Sequence, residues 1–571
     1  MKWKFAKINI KKRNFYSHEL GISQELATVF VNRGIDITTA NKLVHHTYQI
    51  VQEPVPIKGM DIAVNFVLNC IKEKRPIHIF ADYDCDGLTS GYIAESFFNN
   101  FEGITAKTYY PERIEKYGLS KMYCRQLIEQ YKEAPIKPLL ITVDNGITKK
   151  SEVQMLREHD IQVLVTDHHL VDQNSLPEDC VILDPYMGKT GHNLCGAAVI
   201  WNLCRAIENA IQVGNGFTDC LLYAVAIGTL ADVMPLDEYN IALTTLGLYV
   251  MNSEQALPNI KVFRRLFGND GSIDSDTISW TLAPMLNACG RMGDVNLGAN
   301  FFFETDEDTL ISILSAIKEL NESRKQIENQ AVTDIQKNIV NDRDEVLYVI
   351  GDDYPVGIHG LIANKIMQKY NKPTFVLKSI SDESIYIGSC RSNTVPLNIL
   401  LKGEKEKGNI QSFGGHAFAG GISIAKDKLD ILVNDLNKRI RKMKKDGSFE
   451  QYLVDPVLNI DDELSLQDIC NQKRSELNTY AYDKKKFKAP IWAFCNLSID
   501  KLKASRNNPD NICFTVSDGE HTLDIWGWNI RERYEELGKP DTIDIAGQLT
   551  SNFMRPKQTT LRILDIRKSE T

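Results

Sequence analysis

The sequence lacks a positive net charge, long apolar runs and closely paired cysteines. Its 571 residues include 66 Lys and Arg and 75 Asp and Glu, giving a net charge of −9, so the overall basic character of a nucleic-acid coat protein is absent. Taken alone, this acidity argues against a polyanionic partner. The longest apolar stretch, around 221–231, is too short to cross a bilayer, and we expect no membrane association.

The twelve cysteines include no Cys-x-x-Cys pair, and we expect no secretory signal ahead of them. Reduced thiols are therefore expected rather than disulfides or a thiolate zinc site, and the protein is predicted to be cytoplasmic.

Internal repeats and low-complexity tracts are also absent, so the length predicts about three or four globular units. The predicted units are an N-terminal helical extension (1–50), a parallel-sheet α/β domain (51–240), a helical region that ends in a long connecting helix (241–340), a second α/β domain (341–450), a connector (451–480) and a C-terminal β-barrel (481–571).

Polar side chains follow several apolar runs of the first α/β domain. IHIFA (77–81) leads into DYDCDG, while LLITVDNG (139–146) and VLVTDHH (163–169) end in the same way, and we expect ADV in GTLADVMPL to close a fourth segment at a strand end. Strands that alternate with helices predict a parallel sheet, in which ligands bind beyond the carboxyl ends of the strands. The residues expected to meet there are Asp82, Asp84, Asp86, Asp144, Asp167, His168, His169 and Asp232.

Carboxylates gathered in this way repel one another unless cations neutralise them. A mixture of carboxylate and imidazole without thiolate suits Mn²⁺ or Mg²⁺, and two ions are expected. For any single Asp the alternative is a turn or a helix N-cap, and for either histidine it is a core or supporting role. We expect one of His168 and His169 to bind metal directly.

Later segments predict two further units. Helical periodicity without Gly or Pro across 306–340 predicts a long helix that joins two lobes. The second lobe begins with a strand at 345–351, continues with a helix near 361–369 and ends near GGHAFAGG (414–421). Five strands follow at 489–495, 511–517, 522–528, 542–551 and 559–566, with a helix at 531–537 between the third and fourth, which is the order of an OB barrel.

These segments resemble a known family. DYDCDG, VDNG, TDHH and ADV, in this order, are similar to the four motifs of the DHH phosphoesterase superfamily, and GGHAFAGG is similar to the GGH motif of its DHHA1 partner domain. YPERIEKYGLS (110–120), PMLNACGRM (284–292), GIHGLIANK (357–365) and GSCRS (388–392) resemble the branch that degrades single-stranded DNA. The resemblance covers residues 50–425 most clearly.

The resemblance implies roles for individual residues. Metal ligands would be Asp82, Asp84, Asp86, Asp144, His168 and Asp232, with Asp144 bridging the two ions. Catalytic residues would be Asp144, Asp167, His168, His169 and His416. The substrate phosphates would be bound by Arg113, Arg291, Ser389, Arg391 and His416, since guanidinium groups offer paired donors to phosphate oxygens.

The barrel offers aromatic and basic side chains for unpaired bases and the DNA backbone. The candidates are Trp492, Trp526, Trp528, Lys501 and Arg555. Alternation in DIWGWN places Trp526 and Trp528 on the same face of a strand, so burial of both in the core is the alternative.

The function expected from the resemblance is a metal-dependent exonuclease that degrades single-stranded DNA 5′→3′ to mononucleotides in repair and recombination. Two alternatives stay open at this point: a phosphodiesterase of oligoribonucleotides or cyclic dinucleotides, and a non-catalytic single-strand-binding replication factor. Single-stranded DNA is the expected partner, a helicase and a single-strand-binding protein are candidate partners, and a monomer is expected.

Overall fold

The computed structural model of the chain describes residues 1–112, 118–171, 173–188, 190–212, 216–268, 271–338, 344–380, 384–415, 417–452, 457–470, 474–483, 485–506, 508–551 and 559–569. Three residues singled out above, Arg113, His416 and Arg555, lie outside these ranges. No helix within these ranges is both long enough and apolar enough to cross a membrane.

The first lobe is built on a parallel sheet of strands ordered β3-β2-β4-β5-β6. Helices cover both faces, so the strands carry continuous apolar runs, and every residue of LLITV in β4 is buried. Its elements are α5 (Met60–Lys72), β2 (Ile77–Phe80), α6 (Cys85–Phe98), β3 (Ala106–Tyr109), α7 (Lys121–Gln130), β4 (Leu139–Val143), α8 (Lys150–Arg157), β5 (Gln162–Thr166), β6 (Val181–Leu183), α9 (Gly196–Ile211), α10 (Phe217–Cys220) and α11 (Leu222–Ala231). The predicted parallel sheet is therefore confirmed.

One predicted strand end is wrong. Asp232 does not follow a strand but caps the carboxyl end of α11. A short apolar run fits a buried helix as well as a buried strand, and the sequence here, LYAVAIGTLA, is rich in the helix formers Leu and Ala.

A helical region then leads to the second lobe. It comprises α12 (Glu238–Asn252), α13 (Pro258–Phe267), α14 (Ser275–Thr277), a π-helical turn (Ile278–Leu282), α15 (Ala283–Met292), α16 (Val295–Phe303) and the 32-residue α17 (Glu307–Asn338). The predicted connecting helix is thus present, and α17 packs both on α15 and on the helix Val356–Tyr370 of the second lobe.

The second lobe has a mixed sheet ordered β10-β11-β9-β8-β7, in which only the β7–β8 pair is parallel among the described strands. Its elements are β7 (Leu347–Ile350), α18 (Val356–Tyr370), β8 (Thr374–Ile380), β9 (Ile385–Arg391), α19 (Leu397–Leu400), β10 (Ser412–Gly415), β11 (Ala419–Ala425) and α20 (Leu429–Lys445). The helix predicted near 361–369 is α18, which begins at Val356, five residues earlier than expected. The Gly-rich motif spans the β10–β11 hairpin.

The C-terminal strands close into a barrel. Its strands follow the order β13-β14-β15-β16-β18-β17, and pairing of β14 with β17 closes the ring. The elements are β12 (Val457–Ile460), β13 (Asp462–Glu463), α21 (Leu466–Cys470), α22 (Arg474–Leu477), β14 (Trp492–Ala504), β15 (Ile512–Ser517), β16 (Thr522–Gly527), α23 (Arg531–Glu536), β17 (Thr542–Ser551) and β18 (Thr559–Lys568). The predicted OB-like barrel, with its helix between the third and fourth long strands, is confirmed.

The N-terminal segment joins this barrel to the first lobe. It contains β1 (Lys2–Phe5), α1 (Ile10–Leu20), α2 (Gln24–Asn32), α3 (Ile37–His45) and α4 (Thr47–Val51), so the expected helical extension begins with a strand, which pairs with β12. Arg33 donates to Asp461 at 2.9 Å, and the Phe30 ring lies 5.6 Å from that of Tyr480. One apolar core runs through these helices, the first lobe and the barrel. The exact domain boundaries stay a prediction.

Candidate metal centre and phosphate-binding residues

The acidic turn after β2 is fixed by two helix N-termini. Asp84 is the N-cap of α6, and its Oδ1 accepts hydrogen bonds from the backbone N–H groups of Asp86 at 3.0 Å and Gly87 at 3.1 Å. Asp86 in turn accepts from the first residues of α9, at 2.6 Å from Gly196 and 3.0 Å from Ala197. Exposed N–H groups and the helix dipole both favour a carboxylate there. The N-cap role considered as an alternative for these aspartates is therefore real for Asp84.

Asp144 occupies the centre of the cluster. It follows β4 with a φ of +62°, a left-handed conformation that Asp tolerates better than most residues. The Nε2 atom of His168 lies 3.0 Å from Asp144, 3.7 Å from Asp86 and 3.9 Å from Asp232. All of these side chains are buried except that of Asp232, which is 36% exposed.

The potential ligand atoms form overlapping sets, each within 4.8 Å. Asp82, Asp84 and Asp144 form one set, Asp86, His168 and Asp232 form a second, and Asp144, His168 and His169 form a third. Asp144 belongs to the first and third sets and touches His168 of the second. Two adjacent oxygen-rich sets with imidazole and no thiolate suit a pair of Mn²⁺ or Mg²⁺ ions.

The charges of the cluster disturb its titration. Burial, followed by repulsion from Asp86 and Asp84, raises the pKa of Asp144 well above its ordinary value. Burial beside the same two carboxylates raises the pKa of Asp232 to about 8, and burial lowers the pKa of His168. These residues would accommodate cations readily, because a divalent ion removes the repulsion that makes their ionisation unfavourable.

The two histidines differ in their surroundings. The Nδ1 atom of His169 lies 2.7 Å from Oδ1 of Asp167. Asp167 also accepts hydrogen bonds from the backbone N–H groups of His168 and Ile147. Burial alone would lower the pKa of His169, but the hydrogen bond to Asp167 raises it to about 9. His169 is therefore a cationic neighbour of the cluster, whereas His168 contacts its carboxylates directly.

Three of the predicted phosphate-binding residues, Arg291, Ser389 and Arg391, lie beside α18 where the two lobes join. Arg291, at the end of α15, donates to the carbonyl of Gly357 at the start of α18 at 3.0 Å. Arg391 and Ser389 lie on β9, and a Cβ added to Gly360 would come within 2.6 Å of the Arg391 guanidinium. Helix α18 thus approaches both arginines through glycines.

Some residues that hold the cluster together carry no clear signal in the sequence and were missed there. A Cβ on Gly196 would lie 2.5 Å from the Cβ of Asp144, and one on Gly228 would lie 2.5 Å from Asp86 Oδ1. A Cβ on Gly290 would lie 2.1 Å from the carbonyl oxygen of Tyr83 in the acidic turn. The Gly-Ala-Ala run that opens α9 was the available sign of close packing in the sequence.

Helix α11 ends in an unusual way beside the cluster. The N–H of Met234 bonds to Thr229 and that of Val233 to Leu230, which is the Schellman pattern. The residue in the left-handed position of this motif is commonly glycine, but here it is Val233, which has a φ of +53°. This conformation costs an L-residue roughly 1–2 kcal/mol, and β-branching makes it rarer still. Its neighbour Asp232 is part of the second ligand set.

The barrel tryptophans separate into two groups. Trp492 is completely buried, so it is a core residue and the prediction that it stacks on bases is wrong. Trp526 and Trp528 are 37% and 59% exposed, contrary to the alternative of a buried pair, and their rings stack at 6.4 Å. Lys501 is exposed on β14.

Trp526 belongs to a row that crosses four strands. Lys503, Cys513, Trp526 and Arg562 pair in register on β14, β15, β16 and β18. Directly paired residues project from the same face of a sheet, so the Trp526 ring lies on the same face as basic side chains from two other strands.

Comparisons with known proteins agree with this architecture. The DHH family N-terminal domain matches residues 76–229, the DHHA1 domain matches 343–442 and the RecJ OB domain matches 460–565. The single-stranded-DNA-specific exonuclease RecJ of Bacillus subtilis is 26% identical over all of this chain and 71% of its own length. The protein of the same name from Escherichia coli is 28% identical over 66% of this chain and 68% of its own.

A solved structure supports the same arrangement. The crystal structure of RecJ in complex with Mn²⁺ from Thermus thermophilus superimposes with a TM-score of 0.79 at 18% identity, covering 100% of this chain and 80% of that one. The three domain matches therefore occur in one continuous fold. With its cluster of acidic motifs, paired lobes and OB barrel, this chain belongs to the RecJ family of DHH phosphoesterases.

Proposed function

We propose that the protein is a divalent-metal-dependent exonuclease that degrades single-stranded DNA 5′→3′ to mononucleotides in repair and recombination. The observation that carries this proposal is the pair of ligand sets that contain Asp144, together with Arg291, which follows a glycine packed on the acidic turn and contacts the second lobe. The complete acidic set disfavours a non-catalytic binding factor. The barrel disfavours a cyclic dinucleotide or short oligoribonucleotide, which would need no surface to follow a strand.

Six side chains would hold two Mn²⁺ or Mg²⁺ ions: Asp82, Asp84, Asp86, Asp144, His168 and Asp232. When bound, such ions supply an activated water and neutralise charge on the phosphodiester. Asp144 would be shared between the ions, and α9 would keep Asp86 in place through Gly196 and Ala197. Asp167 would hold His169 protonated and oriented, so that His169 can donate a proton or a hydrogen bond to the phosphate.

The direction of digestion would come from binding of the terminal phosphate. Arg291, Ser389 and Arg391 lie beside α18 at the lobe junction and would bind this phosphate, together with Arg113 and His416, which lie outside the described residues. A site that binds a monoester phosphate accepts only a strand end, because an internal phosphate carries a further nucleotide. The distance from that site to the ions would then set the release of one nucleotide per cycle.

The decisive experiment compares labelled strands. Single-stranded DNA with a 5′ or a 3′ label, duplex DNA and short RNA are incubated with Mn²⁺ or with EDTA. We expect immediate release of the 5′ label as a mononucleotide, slower cleavage of 5′-hydroxyl ends and no cleavage in EDTA. Metal-independent release, or attack from the 3′ end alone, would contradict the proposal.

We further propose that the protein acts as a cytoplasmic monomer, supplied with single strands by a helicase and aided by a single-strand-binding protein. The candidate metal cluster and the barrel lie on one chain with a shared core, which supports a self-sufficient unit. Digestion of duplex DNA in the presence of an added helicase, but not without it, would support this order of action.

Cation binding is expected to release protons. At pH 7 Asp232, with a pKa of about 8, is largely protonated without metal, and a cation must displace that proton. The affinity for Mn²⁺ should therefore rise with pH up to about 8 and then level off. Calorimetry in buffers of different ionisation enthalpy measures the released protons directly. The Asp232→Asn variant should release fewer protons, and equal release by both proteins would contradict the assignment.

The exposed tryptophan pair is expected to bind unpaired bases. Stacking of a base on an aromatic ring contributes about 1–3 kcal/mol, so a Trp526→Ala/Trp528→Ala variant should bind a 30-nucleotide strand at least tenfold more weakly. Cleavage of a trinucleotide should stay unchanged. Trp280→Ala, which removes a tryptophan that is 62% exposed outside the barrel, is the matched control. Fluorescence anisotropy gives the affinities, and equal affinity of the double variant and the control would rule out the stacking role.

A further inference from the structure

Val233 combines two unfavourable properties beside the metal centre. Its backbone is left-handed at a position where glycine is the common residue, and its apolar side chain is 55% exposed. Burial in the core therefore does not offset the strain. Glycine at this position would end α11 with the same Schellman hydrogen bonds and without strain, so folding alone gives no reason for a valine side chain.

A second exposed apolar side chain occupies the corresponding position in another loop. Leu170 is 61% exposed and directly follows His169, just as Val233 directly follows Asp232. The two loops meet where His168 lies 3.9 Å from Asp232. We name Leu170 and Val233 together the apolar shoulder of the cluster.

We propose that the apolar shoulder contacts the deoxyribose of the nucleotide being removed, with Val233 as the main sugar-positioning residue. The inference rests on the proposed function. A phosphodiester held by the ligand sets is bonded on both sides to sugar carbons, which are the nearest apolar atoms of the strand. Val233 directly follows the proposed ligand Asp232, and Leu170 directly follows His169 of the third ligand set, so both side chains would lie nearer to these sugar carbons than to the bases.

This contact would also favour DNA over RNA. The 2′ carbon of deoxyribose is a methylene group that packs well against an isopropyl side chain. In ribose the same carbon bears a hydroxyl group, which would lose water without gaining a hydrogen-bond partner. Val233 would therefore act as a specificity residue as well as a positioning residue.

The test uses three variants of the full chain. Val233→Gly removes both the strain and the side chain, and Val233→Thr keeps the shape but adds a hydroxyl. Gln212→Gly is the matched control, because Gln212 has a φ of +55° at the exposed far end of α9. The measurements are the Tm, the Mn²⁺ affinity, kcat and KM on single-stranded DNA, and the ratio of kcat/KM for an all-DNA strand to that for a strand with 5′-terminal ribonucleotides.

We expect Val233→Gly to keep or raise the Tm, to bind Mn²⁺ as the wild type does and to lose about tenfold in kcat/KM, the equivalent of about 1.4 kcal/mol. Val233→Thr should lower the DNA-to-RNA ratio about fivefold, and Gln212→Gly should change none of the kinetic quantities. Should Val233→Gly fold poorly, Val233→Ala removes the two methyl groups while it keeps the Cβ, and the same loss is expected.

Three results would overturn the inference while the wild type still cuts DNA. The first is a wild-type kcat/KM in both Val233→Gly and Val233→Ala. The second is a loss of kcat/KM that is fully explained by weaker Mn²⁺ binding. The third is an unchanged DNA-to-RNA ratio in Val233→Thr. Failure of the wild type itself to cut single-stranded DNA would instead overturn the proposed function.

Discussion

The Asp144→Asn variant is expected to lose at least about a thousandfold in turnover and to keep most of its affinity for single-stranded DNA. Asp144 belongs to two of the ligand sets and lies 3.0 Å from His168, so its charge would serve both cations. Metal ions supply several kcal/mol of transition-state stabilisation, and about 4 kcal/mol corresponds to this loss. Asparagine keeps the shape of the side chain and tolerates the φ of +62°.

A second aspartate provides the control for this experiment. Asp160 has a φ of +60° but is exposed before the amino end of β5, at the opposite edge of the sheet. Asp160→Asn should therefore cut and bind as the wild type does. Single-turnover rates and anisotropy measured on both variants separate chemistry from binding. Equal losses of binding and turnover in Asp144→Asn would argue that the residue shapes the DNA site rather than the metal centre.

The positions of the ligands could be predicted where local pattern and topology agree. Runs such as LLITV are buried on both faces, and a polar residue directly after the run marks the carboxyl edge of the parallel sheet. This reasoning located Asp82 and Asp144 without any contact information. It failed for the structural setting of Asp232, because an apolar run of ten residues does not distinguish a helix from a strand.

Tertiary contacts explain what the sequence could not predict. The hydrogen bond between Gly196 and Asp86 joins residues 110 positions apart, and the Gly-Ala-Ala run that begins at Gly196 indicates close packing without showing that its partner is the acidic turn. Alternation correctly placed Trp526 and Trp528 on a common face but did not say which face is wet. The strained backbone of Val233 likewise depends on how α11 ends, since valine by itself favours extended structure.

Gly196→Ala is expected to disable the metal centre although it adds a single methyl group. The new Cβ would lie 2.5 Å from the Cβ of Asp144 and 2.8 Å from its Cγ, distances at which backbone or helix must shift. The same residue donates its N–H to Asp86 at 2.6 Å, so a shift of α9 would also weaken that bond. Asp144 and Asp86, which belong to different ligand sets, would therefore both be displaced.

We expect the variant to bind Mn²⁺ at least about tenfold more weakly and to lose at least about a hundredfold in turnover at low Mn²⁺, since small misplacement of reacting groups has effects of this size. High Mn²⁺ should restore part of the activity because occupancy of the metal site is part of the defect.

Gly351→Ala is the control, as its added Cβ would approach no neighbouring atom more closely than 3.4 Å. Calorimetry and an Mn²⁺ titration of the rate measure both effects. Alanine is a better helix former than glycine, so the substitution should not weaken α9 itself. A wild-type Mn²⁺ dependence in Gly196→Ala would therefore mean that α9 can move without disturbing Asp144. The close approach of Gly196 would then not be what positions the cluster.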